Sequence, residues 1–181
     1  YSRSNGGLLS LISYLLLYFA FVSNMDFEKV NTMLKFGFVS GFIICLWAIL
    51  EHFGVSFSCV ILRGEFNASC WIQDVQARVF ATLGQPNWLA AYLAMLIFPA
   101  LYFFLSATKK SLAISYWLLA ISYYTAFTFT YSRGPTLGLL GGMAVFLGAW
   151  ILRYKDIKRL SIIILSFLAI NILFVSALSY F

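Results

Sequence analysis

Apolar runs about as long as a membrane-crossing helix recur six times along the chain, and they leave little room for another architecture. They cover approximately residues 7–23, 36–53, 88–106, 112–130, 137–152 and 160–178. A helix needs about 17–25 apolar residues to cross the hydrocarbon layer, because lipid offers no partner to an open backbone. The runs are apolar on every face, as lipid-bathed helices should be. None alternates over the roughly ten residues that a barrel strand needs. The expected fold is therefore all-α: a polytopic membrane helical bundle of about six transmembrane helices, forming one domain over residues 1–181. Composition points the same way, with 62% hydrophobic and only 10% charged residues, against about a quarter charged in soluble domains. No basic leader followed by a small-residue cleavage site precedes the first run, so it reads as a span. Opening at Tyr1 and closing at Phe181 inside apolar sequence, the chain is expected to be a piece of a larger polytopic protein.

The net charge of +6 is dispersed between the runs, so it reads as a topology signal and not as a nucleic-acid surface. Lys109 and Lys110 follow the third run, and Arg153, Lys155, Lys158 and Arg159 follow the fifth. Those connections lie on one side, with Lys29 and Lys35, and their basic load assigns that side to the cytoplasm. Arg3, Arg63, Arg78 and Arg133 then face outside. The third and fifth runs both travel inward, so both present helix N-termini, with their unpaired N–H groups, to the outer face. Pro86 and Pro135 fit the first turns of those helices. Two arginines, Arg78 and Arg133, would stand beside these two mouths, an arrangement suited to an anion.

The one long connection, residues 54–87, is expected on the outer side. Within it Trp71, Ile72, Val75 and Val79 recur at helical spacing, which predicts a short amphipathic helix in the interface. Asp74 and Arg78, four apart, could pair on it. Cys59 and Cys70 share this loop and could form a disulfide in an oxidising compartment, whereas Cys45, within an apolar run, reads as inert packing. Asn67-Ala68-Ser69 matches a glycosylation acceptor, a pattern too short to carry an argument. Gly134, Gly138, Gly142, Ala144 and Gly148 read as a small-residue stripe for close helix packing.

Each polar candidate has a plainer reading. Arg78 could snorkel to the interface or simply pair with Asp74. Arg133, in a very short turn between apolar helices, could be a lipid-phosphate anchor, but arginine at membrane depth more often faces a polar cavity. Glu51 and His52 read as a helix-end polar cap before an acid–base pair. With one histidine and few carboxylates, the chain offers no metal-ligand cluster, and no cofactor is expected.

The runs Arg78, Thr82-Leu83-Gly84-Gln85-Pro86-Asn87-Trp88-Leu89-Ala90 and Tyr131-Ser132-Arg133-Gly134-Pro135-Thr136-Leu137-Gly138 resemble motifs of the O-antigen ligase and O-antigen polymerase superfamily of bacterial envelope glycosyltransferases. Leu46-Trp47-Ala48-Ile49-Leu50-Glu51-His52-Phe53-Gly54 resembles the segment preceding the first motif, so the likeness covers roughly residues 40–150. The resemblance implies an integral protein of the bacterial inner membrane with its site facing outside. It implies transfer of glycan from an undecaprenyl-diphosphate-linked donor to the hydroxyl of a glycolipid, glycan or protein acceptor, without nucleotide sugar or essential metal. On the matching positions it implies diphosphate binding and transition-state stabilisation by Arg78 and Arg133. Gln85, Asn87 and Ser132 are the supporting hydrogen-bond candidates. Such ligases carry a histidine in a later outer loop, and this chain has none after His52. A piece of such a protein is expected to hold much of the donor site without acting alone. The alternative is a non-enzymatic transporter or flippase using the same arginines for an anionic lipid or solute.

Overall fold

The computed structural model describes residues 7–154 and 157–174. Among them lie seven α-helices: α1 (Leu8–Asn24), α2 (Phe27–His52), α3 (Phe57–Arg63), α4 (Pro86–Ser106), α5 (Lys110–Thr128), α6 (Arg133–Tyr154) and α7 (Ile157–Phe174). A single 3-10 turn, Ala81–Leu83, precedes α4, and no strand occurs among the described residues. Arg3, Lys155 and the part of the sixth apolar run after Phe174 lie outside them. Each run maps onto one long helix, but only four helices (α2, α4, α6 and α7) are both long and apolar enough to cross a membrane. At 17 residues, α1 is shorter. Helix α5 carries a polar load instead, and Ser115, Ser122 and Thr125 donate to the carbonyls of Ser111, Leu118 and Ile121 one turn back. Hydroxyls satisfied within their own helix are compatible with an apolar setting.

The chain divides into two compact units, Tyr1–Phe36 and Gly37–Phe181. In the first, Asp26 caps the start of α2: its Oδ1 accepts the Lys29 N–H at 2.9 Å, and the Lys29 ammonium stands 3.0 Å from Oδ2. The Lys29 backbone bond, then its ammonium, hold the Asp26 carboxyl below its ordinary range.

In the second unit α4 is the axis, with Leu89, Leu93, Ile97 and Leu101 fully buried. Lipid removes the hydrophobic drive for apolar helices to associate, so close packing and a few hydrogen bonds must hold them together. Gly41 supplies such a contact, since a Cβ there would meet Leu96 and lie 3.1 Å from the Tyr123 hydroxyl. That hydroxyl donates to the Phe38 carbonyl at 2.7 Å.

Contacts down the bundle fix helix direction. Phe98 lies against Phe146 and Tyr102 against Trp150, with ring centroids 5.9 and 6.2 Å apart, so α4 and α6 run parallel. Trp117 donates to Ser166 at 3.2 Å and Tyr124 stacks on Phe167 at 4.0 Å, so α5 and α7 also run parallel. At the basic end, Arg159 donates to the carbonyls of Phe104, Leu105 and Ala107 at 3.3, 2.6 and 3.1 Å, satisfying the orphan acceptors where α4 stops. The N-termini of α4 and α6 therefore share the opposite end, as the order of runs requires.

Two local expectations are corrected. The glycine stripe packs at one step among the described residues: a Cβ on Gly142 would come within 2.7 Å of Phe98, while one on Gly134, Gly138 or Gly148 would meet nothing within 4 Å. The amphipathic helix over residues 71–79 does not form; the loop helix is α3, and 71–79 is a series of turns. Asp74 closes one turn by accepting the Gln76 and Ala77 N–H groups, both at 3.1 Å. An aspartate capping from inside the segment competes with helix propagation. Asp74 and Arg78 form no ion pair.

Candidate functional site

The loop end of the second unit is organised by a buried carboxylate. Glu51, on the last turn of α2, has no exposed surface. Its Oε1 accepts the Ser56 hydroxyl at 3.0 Å, and its Oε2 accepts the N–H groups of Ala81 at 2.8 Å and Phe80 at 3.4 Å. Ser56 in turn accepts the Trp71 indole N–H at 3.1 Å. Beside this network Cys59 and Cys70 form a disulfide, with their Cα atoms 5.5 Å apart. His52 turns elsewhere: its Nδ1–H donates to the Gln76 carbonyl at 2.9 Å, and its ring stacks on Phe129 at 3.8 Å. No hydrogen bond joins Glu51 to His52, so the two side chains work as separate clamps on the loop.

These clamps deliver the first motif to the second. The Val79 N–H donates to the Phe129 carbonyl at 3.2 Å, and Arg78 Nε donates to the Thr130 carbonyl at 3.3 Å. Arg78 is thereby fixed three residues from Arg133, although it is 55 residues earlier in the chain. Its terminal guanidinium nitrogens make no hydrogen bond among the described residues. Arg133 is the first residue of α6 and exposed, and among the described residues its guanidinium has no hydrogen-bond or ion-pair partner. Ser132, next to Arg133 in the turn, is buried, its hydroxyl 3.4 Å from the Thr130 carbonyl.

Gln85 and Asn87 stand at the mouth of α4, both exposed. Gln85 is its N-cap residue without a side-chain cap bond, and Pro86 occupies the first turn. Each helix is approached through a left-handed non-glycine residue, Ala81 (φ 49°) before α4 and Tyr131 (φ 47°) before α6. Such conformations cost about 1–3 kcal/mol each and persist only where surroundings enforce them. The structure thus brings Arg78, Ser132 and Arg133 to one turn, while Gln85 and Asn87 line the neighbouring helix mouth.

Sequence reasoning missed a pocket. Between α5, α6 and α7 lies a cavity of about 210 Å³ with Ser132, Arg133 and Thr136 among its polar lining. Its walls are Leu139, Met143, Leu147, Ile163 and Phe167 with their neighbours. Asn171 is the polar residue on the α7 wall, donating to the Tyr124 hydroxyl at 2.6 Å. A cationic group next to an apolar cleft suits a molecule with an anionic head and a hydrocarbon body. Among the described residues no three His, Cys, Asp or Glu side chains gather as metal ligands would. Compared with protein-family models, curated proteins and solved structures, the chain finds no match.

Proposed function

We propose that this protein transfers or polymerises glycan from an undecaprenyl-diphosphate-linked donor onto an acceptor hydroxyl, at the outer face of the bacterial inner membrane. The observation that carries the reading is the Arg133 guanidinium at the α5–α6–α7 pocket, without a partner among the described residues, with Arg78 tied to the same turn. The shared end of the α4 and α6 N-termini supports it, because both helices add positive potential there. The Cys59–Cys70 disulfide supports an oxidising, extracytoplasmic side for this end.

In the reaction, an acceptor hydroxyl oxygen bonds to the anomeric carbon while the bond from that carbon to the diphosphate oxygen breaks. The electron pair leaves with undecaprenyl diphosphate, and charge grows on the phosphate oxygens. Arginine is suited to that charge through planar, charge-assisted hydrogen bonds. Gln85 and Asn87 would orient the donor head. None of these residues is a base, so the hydroxyl proton passes to water or to an oxygen of the departing diphosphate. The acceptor, whether glycolipid, glycan or protein, approaches from the loop side.

Transfer from lipid-linked glycan by the full-length protein, assayed in vesicles, tests this. Arg133→Ala should lower the rate by ~10²–10³, the usual loss for a transition-state donor. Transfer at the original rate would remove the assigned role. Passage of the labelled lipid across the vesicle membrane with its glycosidic bond intact would instead mark a transporter or flippase.

A further inference from the structure

We infer that Glu51 is the positioning residue for Arg78, acting through the backbone of the segment 78–81; the inference rests on the functional reading above. A carboxylate with no exposed surface at the end of a membrane-length helix is costly unless its acceptors are filled. Among the described residues no lysine, arginine or histidine side chain fills them. Instead they bind the consecutive N–H groups of Phe80 and Ala81, with Ser56 on the other oxygen. Two residues upstream of that clamp is Arg78, and between them Val79 is tied to Phe129. The loop therefore reaches the α5–α6 turn under restraint on both sides of Val79. Arg78 Nε is held on Thr130, and the remaining donors of its fork, which bind nothing among the described residues, can meet an anion. Releasing the clamp would let Ala81 leave its left-handed conformation and would let Arg78 lose its register. Misplacement of a catalytic geometry by about 1 Å can cost on the order of a hundredfold in rate.

The test compares binding of undecaprenol and undecaprenyl diphosphate to the protein in nanodiscs. Undecaprenol reports the apolar pocket alone, and the affinity ratio of the two lipids reports the arginines. Arg78→Ala should lower the ratio roughly tenfold or more, the scale of one lost charge-assisted contact. Glu51→Ala should lower it comparably while leaving undecaprenol affinity unchanged. Glu51→Asp, which keeps a buried carboxylate but withdraws it by one methylene, should also lower it, and decides the matter if Glu51→Ala does not fold. Glu51→Gln should restore most of the ratio, because its amide oxygen can still accept both N–H groups. A wild-type ratio in Glu51→Ala or Glu51→Asp would overturn the inference. So would parallel losses for both lipids, or no rescue by Glu51→Gln. A ratio near one in the wild-type protein would instead contradict the functional reading itself, and this inference with it.

Discussion

At Gly41, α2 passes so close to α4 and α5 that a methyl group has no place. Leu96 could rotate away, but the Tyr123 hydroxyl is held by the Phe38 carbonyl. Gly41→Ala should therefore destabilise the protein by about 1–3 kcal/mol, the usual penalty for overpacking. Thermal melting in detergent reads this as a lowered Tm, and an unchanged Tm would show that α2 is not packed at Gly41 as described. The same scale separates what the sequence disclosed from what it did not. Arg78 and Arg133 draw attention in the sequence because arginine beside an apolar run is costly and needs a reason. Glu51 was legible only as a helix-end polar residue, since besides the nearby Ser56 hydroxyl its partners are backbone groups of Phe80 and Ala81, far along the chain. Backbone donors leave no trace in a sequence. His52 was similarly opaque: its stacking partner Phe129 is one of nineteen phenylalanines.

Among the elements, the long helices were readable because a largely apolar run close to membrane-spanning length has few alternatives. The stop and start signals were less informative. Helix α2 begins at Phe27, nine residues before the apolar run, because Asp26 caps it and Glu28 and Lys29 are good helix formers. The opposite failure occurs at 71–79, where helical spacing of Trp71, Ile72, Val75 and Val79 did not produce a helix. Three of those four residues are β-branched and favour extended backbone. The segment is held by the Cys59–Cys70 disulfide before it and by the Glu51 clamp after it. Val75 and Val79 are buried there, while Ile72 is wholly exposed. Spacing predicted a common face, whereas the two anchors determine which of these side chains turn inward. The α5–α6–α7 pocket had no sequence signal, because its walls are leucine, isoleucine, methionine and phenylalanine, as the lipid-facing surfaces are.

For the whole molecule, helix direction is the property on which the proposal depends. The α4–α6 and α5–α7 contacts set the Arg133 turn and the Lys109–Lys110 turn at opposite ends of the second unit. In intact cells, a membrane-impermeant maleimide should label Gly134→Cys and should reach Thr108→Cys only after permeabilisation; the native Cys45 is buried and the other two cysteines are paired. The reverse pattern would put the arginines on the cytoplasmic side and dismantle the glycan-transfer reading. The most direct measurement is photocrosslinking with a polyprenyl diphosphate carrying a diazirine in its tail. Label is expected on pocket residues such as Leu139, Met143 and Phe167. That label should be competed by undecaprenyl diphosphate and reduced about tenfold by Arg133→Ala. Label spread over outward residues such as Leu137 and Ile172, and indifferent to Arg133→Ala, would contradict it.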